Sequence, residues 1–240
     1  GIKAIDHFSL TVKEGEKIAI VGRTGSGKST LAHLLLRVYD VNKGSIQYEG
    51  TDVRDISLAS LRTQAGYVPQ EVFLFSDTIK NNIRFANAGA SDEEVYQAAR
   101  QASIFNDIAS FHLKFETLVG ERGVTLSGGQ KQRISIARAL LKKPELVILD
   151  DCLSAVDTAT EKEILGNLYG YLQNRTAIII THRIFSLFQF DKIIVMENGK
   201  IAETGNHKEL MNLNGIYAEM YRNQQVKEDE KPANNVENLS

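Results

Sequence analysis

Gly22-Arg23-Thr24-Gly25-Ser26-Gly27-Lys28-Ser29-Thr30 meets every fixed position of the phosphate-cradling pattern G-x-x-x-x-G-K-[ST]. The apolar run Ile18-Ala19-Ile20-Val21 before it reads as a buried strand, and Leu31-Ala32-His33-Leu34-Leu35-Leu36 after it reads as a helix. Strand, loop and helix in that order predict a unit in which backbone N–H groups and the positive end of the helix converge on one anion. Gly22, Gly25 and Gly27 allow the backbone to bend around the phosphates, with Arg23, Thr24, Ser26 and Thr30 completing the loop. Lys28 is expected to reach the β and γ phosphates and the Ser29 hydroxyl to bind Mg²⁺. An ordinary glycine-rich loop would not hold strand, helix, lysine and serine in this register.

The 240 residues, 42% hydrophobic and 24% charged, are enough for one large domain or a core with a subdomain. A formal charge of −2 gives no electrostatic case for nucleic acid or an anionic membrane as the main partner. Cys152 is the single cysteine, so an internal disulfide is ruled out and a reducing compartment is expected. No apolar run approaches the roughly 20 residues needed to cross a bilayer. The opening Gly1-Ile2-Lys3, without methionine, suggests a piece of a longer polypeptide. Any membrane role is then expected to come from a partner or from a segment upstream.

Along the chain, residues 8–12 alternate apolar and polar and predict a small antiparallel element ahead of the core. Residues 45–48 read as a short strand closed by the turn Glu49-Gly50, and residues 58–61 as a short helix before a strand over 66–70. From there to about Pro144 the pattern is mainly helical, with helices over 78–85, 91–102 and 131–140 and a capping box of Ser91 and Glu94. Continuous apolar runs at 146–149 and 176–180 have the character of parallel strands buried on both faces, joined by a crossover helix over 161–172. Asn198-Gly199 between apolar runs predicts a hairpin, and Asn206 a helix cap. A helical region broken at Gly215 is expected to end near Gln225, and the charged, polar residues 226–240 read as disordered.

Four further signals follow the loop. Leu146-Val147-Ile148-Leu149-Asp150 delivers a carboxylate at a strand end, where Asp150 can hold Mg²⁺. Leu126-Ser127-Gly128-Gly129-Gln130 opens a helix and exposes N–H groups at its positive end. His182 follows the strand ending in Thr181, and Gln70 ends the strand that enters the helical region. Each alone is more often a structural feature. Jointly they closely resemble the nucleotide-binding domain of an exporter-type ABC transporter, over almost the whole chain.

The resemblance implies an α/β P-loop NTPase core with a mainly parallel sheet and a small antiparallel β element over residues 1–70 and 145–225, a helical subdomain over 71–144, and a transmembrane domain upstream. It implies ATP and Mg²⁺ as cofactors. Gln70 matches the Q-loop residue that touches Mg²⁺ and the attacking water, and Ser127, Gly128, Gly129 and Gln130 match the signature motif, which binds the γ phosphate of ATP held by the opposite subunit. Ser154-Ala155-Val156-Asp157 matches the D-loop, His182 the switch histidine, and Val119-Gly120-Glu121-Arg122-Gly123 the exporter segment that meets the membrane domain. The implied partners are that membrane domain and a second nucleotide-binding domain, on the cytoplasmic face of the plasma (inner) membrane.

Two departures stand against the pattern. The family's general base is usually Glu, and here that position is Asp151. Its carboxylate is set back by about 1 Å, an offset that can cost on the order of 10²-fold in rate. Slow hydrolysis is expected, with the chain as the degenerate half of a heterodimer. The alternatives are a slow homodimer, or an ATP-gated clamp with little turnover. The adenine-stacking aromatic is expected upstream of Gly1, with Tyr39 and Tyr48 reading as structural. DNA-repair and ribosomal relatives of the family fit poorly, since there is no sustained heptad insertion and only one such domain.

Overall fold

The computed structural model describes residues 3–120, 123–153, 156, 158–184 and 189–229. Eight strands and nine α-helices lie within them, in the order β1 (Lys17–Val21), α1 (Lys28–Leu35), β2 (Gln47–Tyr48), β3 (Thr51–Asp52), α2 (Leu58–Gln64), β4 (Ala65–Val68), α3 (Ile79–Arg84), α4 (Asp92–Gln101), α5 (Phe105–Ser110), α6 (Gly128–Leu141), β5 (Leu146–Asp150), α7 (Thr158–Tyr171), β6 (Thr176–Thr181), β7 (Lys192–Glu197), β8 (Lys200–Gly205), α8 (His207–Leu213) and α9 (Ile216–Asp229). Six strands form one sheet in the order β4-β5-β6-β1-β7-β8. Every pairing in it is parallel except β7 with β8.

Alternation along the buried strands distributes their side chains to two faces. Ile18 and Ile20 of β1 and Ile148 of β5 pack with Leu31, Ala32 and Leu36 around α1. Val147 and Leu149 of β5 turn the other way, onto Ile134, Ile136 and Leu140 of α6 and Ile164 and Leu168 of α7. Ala19 and Val21 join Val195, Leu210 and Tyr217 beneath α8 and α9. Both faces are therefore covered, which is why the central strands read as unbroken apolar runs.

Parallel pairing aligns the strand ends. Val21 stands beside Thr181, and Asp150 beside Ile180. The loop after β1, the carboxylates at the end of β5 and the residue after β6 thus meet at one edge of the sheet, the crevice in which open α/β sheets bind ligands.

Several boundaries differ from the sequence reading. Residues 8–12 form no paired strand, although Phe8, Leu10 and Val12 do turn inward against the α1 side of the core. The small antiparallel sheet is instead the β2–β3 pair, folded at Glu49 and Gly50, both in left-handed backbone with φ of 51° and 79°. Strand β4 stops at Val68, so Pro69 and Gln70 lie beyond it. Helix α5 and a short 3₁₀ turn over Lys114–Glu116 carry no strong sequence signal. Helix α9 continues to Asp229, past the end expected near 225, and residues 230–240 of the tail lie outside the described residues. The predicted hairpin is present: Asn198 and Gly199 have φ of 50° and 76°, the two positive values of a type I′ turn.

Candidate nucleotide and Mg²⁺ site

Between β1 and α1 the loop curls back on itself. The Ser26 amide donates to Arg23 O at 3.2 Å, and the Lys28 ammonium donates to Gly22 O at 2.8 Å and Arg23 O at 2.9 Å. Gly22 cannot be replaced freely, because a Cβ there would lie 2.3 Å from Met196 O. At Gly25, with φ of 81°, a Cβ would meet nothing within 4 Å, so the loop's rim faces open space. Burial lowers the Lys28 pKa, and the nearby Asp151 and Asp150 carboxylates oppose that shift.

The residues fit a bound phosphate. Five of the helices, α2, α3, α4, α6 and α8, open on a Ser, Thr or Asn side chain that accepts from a first-turn amide. Helix α1 opens on Gly27 with no side-chain cap and no acidic residue in its first turn. Its first amides and positive dipole end are therefore left for an external anion.

They also fit Mg²⁺. Ser29 Oγ donates to Asp150 Oδ1 at 3.1 Å, which brings two hard oxygen ligands together beside the loop. Among the described residues no group of three or more His, Cys, Asp or Glu could hold a metal. That suits an ion held by one or two protein oxygens and completed by phosphate and water. Asp150 is buried at 2% exposure. Burial raises its pKa, the Ser29 hydrogen bond pulls against that, and the Asp151 charge adds to the rise. Tyr67 on β4 supplies a second hydroxyl, donating to Asp150 Oδ2 at 3.4 Å.

Asp151 gathers the other predicted residues. His182 Nδ1 lies 2.8 Å from its Oδ1 and 2.9 Å from its Oδ2, and Gln70 Nε2 donates to Oδ2 at 3.4 Å. Its own amide donates to Ile180 O at 2.7 Å. Gln70, expected at the Mg²⁺, is thus bonded to the carboxylate one residue beyond Asp150. Of the remaining loop residues, Arg23 pairs with Glu219 of α9 at 3.0 Å and Thr24 is exposed.

Ser127, Gly128, Gly129 and Gln130 stand apart, at the start of α6. Ser127 and Gln130 form a reciprocal capping box, and Gln130 Nε2 also donates to Asp107 Oδ1 of α5 at 3.2 Å. Arg133 grips the same carboxylate at 2.9 and 3.0 Å. Outside α6 itself, the described hydrogen bonds of this stretch run to α5, with none to the phosphate loop. Tyr48 is built into the core beside α1, while Tyr39 is 61% exposed and edge-on to His33. Of the D-loop stretch only Val156 is described, and Glu121 and Arg122 of the exporter segment fall outside the described residues.

Residues 5–154 match the family described as ABC transporter. The chain belongs to the ABC transporter family. "ABC transporter B family member 24, mitochondrial" of Arabidopsis thaliana is 45% identical over 94% of this chain and 33% of its own length. "Iron-sulfur clusters transporter atm1, mitochondrial" of Aspergillus fumigatus is 47% identical over 92% of this chain and 31% of its own. A solved "bacterial Atm1-family ABC exporter with ATP bound" superposes with a TM-score of 0.87 at 43% identity, over 92% of this chain and 39% of that one. This ABC chain is an exporter-type nucleotide-binding domain, and it spans about a third of the length of the relatives it matches. No described helix is long and apolar enough to cross a membrane.

Sequence reasoning missed Tyr67 and Asp107. Each meets its partner only in the fold, Tyr67 across 83 residues and Asp107 across 23.

Proposed function

We propose that this ABC domain binds Mg·ATP and hydrolyses it slowly, as the degenerate half of a heterodimeric exporter. Lys28 and the first amides of α1 would bind the β and γ phosphates, with Ser29 and Asp150 holding Mg²⁺, which when bound neutralises phosphate charge. Asp151 would take a proton from the attacking water as its oxygen bonds to the γ phosphorus and the bond to ADP breaks. His182 and Gln70 would hold that geometry, and Ser127 to Gln130 would serve ATP held by the second domain. The observation that carries the reading is Asp151 itself: a carboxylate one methylene short of Glu, already bonded to both His182 and Gln70.

The membrane domain would lie in the rest of a longer chain, with this domain on its cytoplasmic face. Cargo would be chosen in that membrane domain, so the iron–sulfur clusters in one relative's name carry no weight here.

The test is steady-state Mg·ATP turnover of the native chain and of Asp151→Glu across a range of protein concentrations. The Glu variant is expected to be faster by about 10²-fold, the scale set by a 1 Å placement error. A rate rising more steeply than concentration would show dimerisation. Equal turnover would make Asp151 a competent base and remove the case for a degenerate half.

A further inference from the structure

Helix α9 reaches the catalytic edge from the far end of the chain. Gln224, on its third turn, places its side-chain amide against the backbone of Ile184. Its Oε1 accepts from the Ile184 amide at 2.7 Å, and its Nε2 donates to Ile184 O at 3.1 Å. Both polar groups of one residue are closed by one side chain, as a neighbouring strand would close them, across 40 residues of sequence. Ile184 is 7% exposed and sits in the cluster with Val21, Val195 and Tyr217, so its amide and carbonyl have little access to water.

His182 lies two residues before this clamp. On its other side the chain is fixed at Thr181, the last residue of β6, whose Oγ1 accepts from the Arg183 amide at 3.0 Å. Arg183 is itself paired with Glu161 of α7. The histidine therefore stands on a short span held at both ends, and the direction of its ring toward Asp151 depends on both anchors. Glu219, one turn earlier on α9, bonds Arg23 of the phosphate loop, but that pair is exposed on both sides and contributes little. The buried clamp is the stronger tie.

We infer that Gln224 is a positioning residue for His182, holding the histidine where it can meet the terminal phosphate. The inference rests on the reading of His182 as a γ-phosphate contact. A side chain that only satisfied the Ile184 backbone would stabilise the fold and leave nucleotide discrimination unchanged. One that positions His182 must alter the response to the γ phosphate alone.

The experiment measures binding of Mg·ADP and of a non-hydrolysable Mg·ATP analogue to the 240-residue chain by calorimetry. It compares native protein with Gln224→Ala, Gln224→Met, His182→Ala and the Gln224→Met/His182→Ala double variant. Gln224→Met keeps length and packing while removing both hydrogen bonds, so it serves if the Ala variant fails to fold. The expected result is a loss of about threefold to tenfold for the triphosphate analogue, the scale of one or two neutral hydrogen bonds, with Mg·ADP unchanged. In the His182→Ala background the Gln224 substitution should add nothing. Equal losses for both nucleotides, full additivity with His182→Ala, or native behaviour of Gln224→Met would each overturn the proposal. If His182→Ala alone leaves analogue binding unchanged, the γ-phosphate reading of His182 fails, and the proposal with it, by a separate arm.

Discussion

Replacing Asp150 by Asn should stabilise the nucleotide-free domain and sharply weaken its response to Mg·ATP. The carboxylate is almost completely buried, and burial holds its pKa above the ordinary 3.8. The folded state therefore binds the proton more tightly than the unfolded chain does. Ionisation of Asp150 costs nothing below the unfolded value, and its full cost is present above the folded value. Each unit of that rise is worth about 1.4 kcal/mol, or roughly 3–5 °C in the melting temperature of a domain this size. Asn removes the charge and keeps the bonding, because its partners are the Ser29 and Tyr67 hydroxyls, which can each donate or accept. In EDTA near neutral pH, the variant should melt higher than native protein, with the gap closing as pH falls through the range where Asp150 takes its proton. With Mg·ATP at 100 times its dissociation constant the native domain should gain about 2.7 kcal/mol. The variant should gain far less, reversing the order. Melting curves at several pH values, with and without Mg·ATP, measure all of this. A variant that melts below native in EDTA, or a gap that ignores pH, would refute the reasoning and show that the ionised carboxylate is favourably paired in the empty site.

Asp107→Ala should destabilise the domain by about 1–3 kcal/mol, below the 3–5 of a fully buried pair because Asp107 is partly exposed. It leaves Arg133, whose side chain is only 11% exposed, without its carboxylate and frees the Gln130 amide. Denaturant unfolding checks the loss, and a paired Asp107→Leu/Arg133→Met variant should recover part of it. Cys152 is buried and its thiol is pushed up to about 12 by burial. Alkylation by iodoacetamide at pH 8 should run on the order of 10³-fold slower in folded protein than in the unfolded chain, and rapid labelling under native conditions would contradict the burial.

The phosphate loop, the strand ending in Asp150 and the Asn198-Gly199 turn were legible because each is a local pattern with its own physical cause. Capping was legible for the same reason at Ser91, which forms its box with Glu94, and at Asn206, whereas Ser127, read only as opening a helix with exposed amides, forms a box with Gln130 as well. Helix α5 was not, because it is six residues long and opens on Ile104 without a side-chain cap. Residues 8–12 misled through a true signal. Alternation reports a half-buried surface, and Phe8, Leu10 and Val12 do make one, but it says nothing about whether a neighbouring strand is within reach. Tyr67, Asp107 and Gln224 carry no motif at all, since what matters is the partner each meets after the chain has folded.

Asp151 combines both kinds of information. The sequence places Asp at the position that the resemblance assigns to a Glu base. The fold adds that the residue sits in left-handed backbone, with φ of 46°, a conformation that Asp adopts more readily than Glu. Its two carboxylate oxygens are shared between His182 at 2.8 Å and Gln70 at 3.4 Å. A longer side chain would extend toward the phosphates but would have to give up part of that bonding and accept a less favourable backbone. On the proposed reading the short acid is therefore adapted to a second task, tying Gln70, two residues beyond β4, to His182, directly after β6. On that same reading the site would register bound ATP better than it consumes it, and a faster competent site would belong to a second, unlike domain.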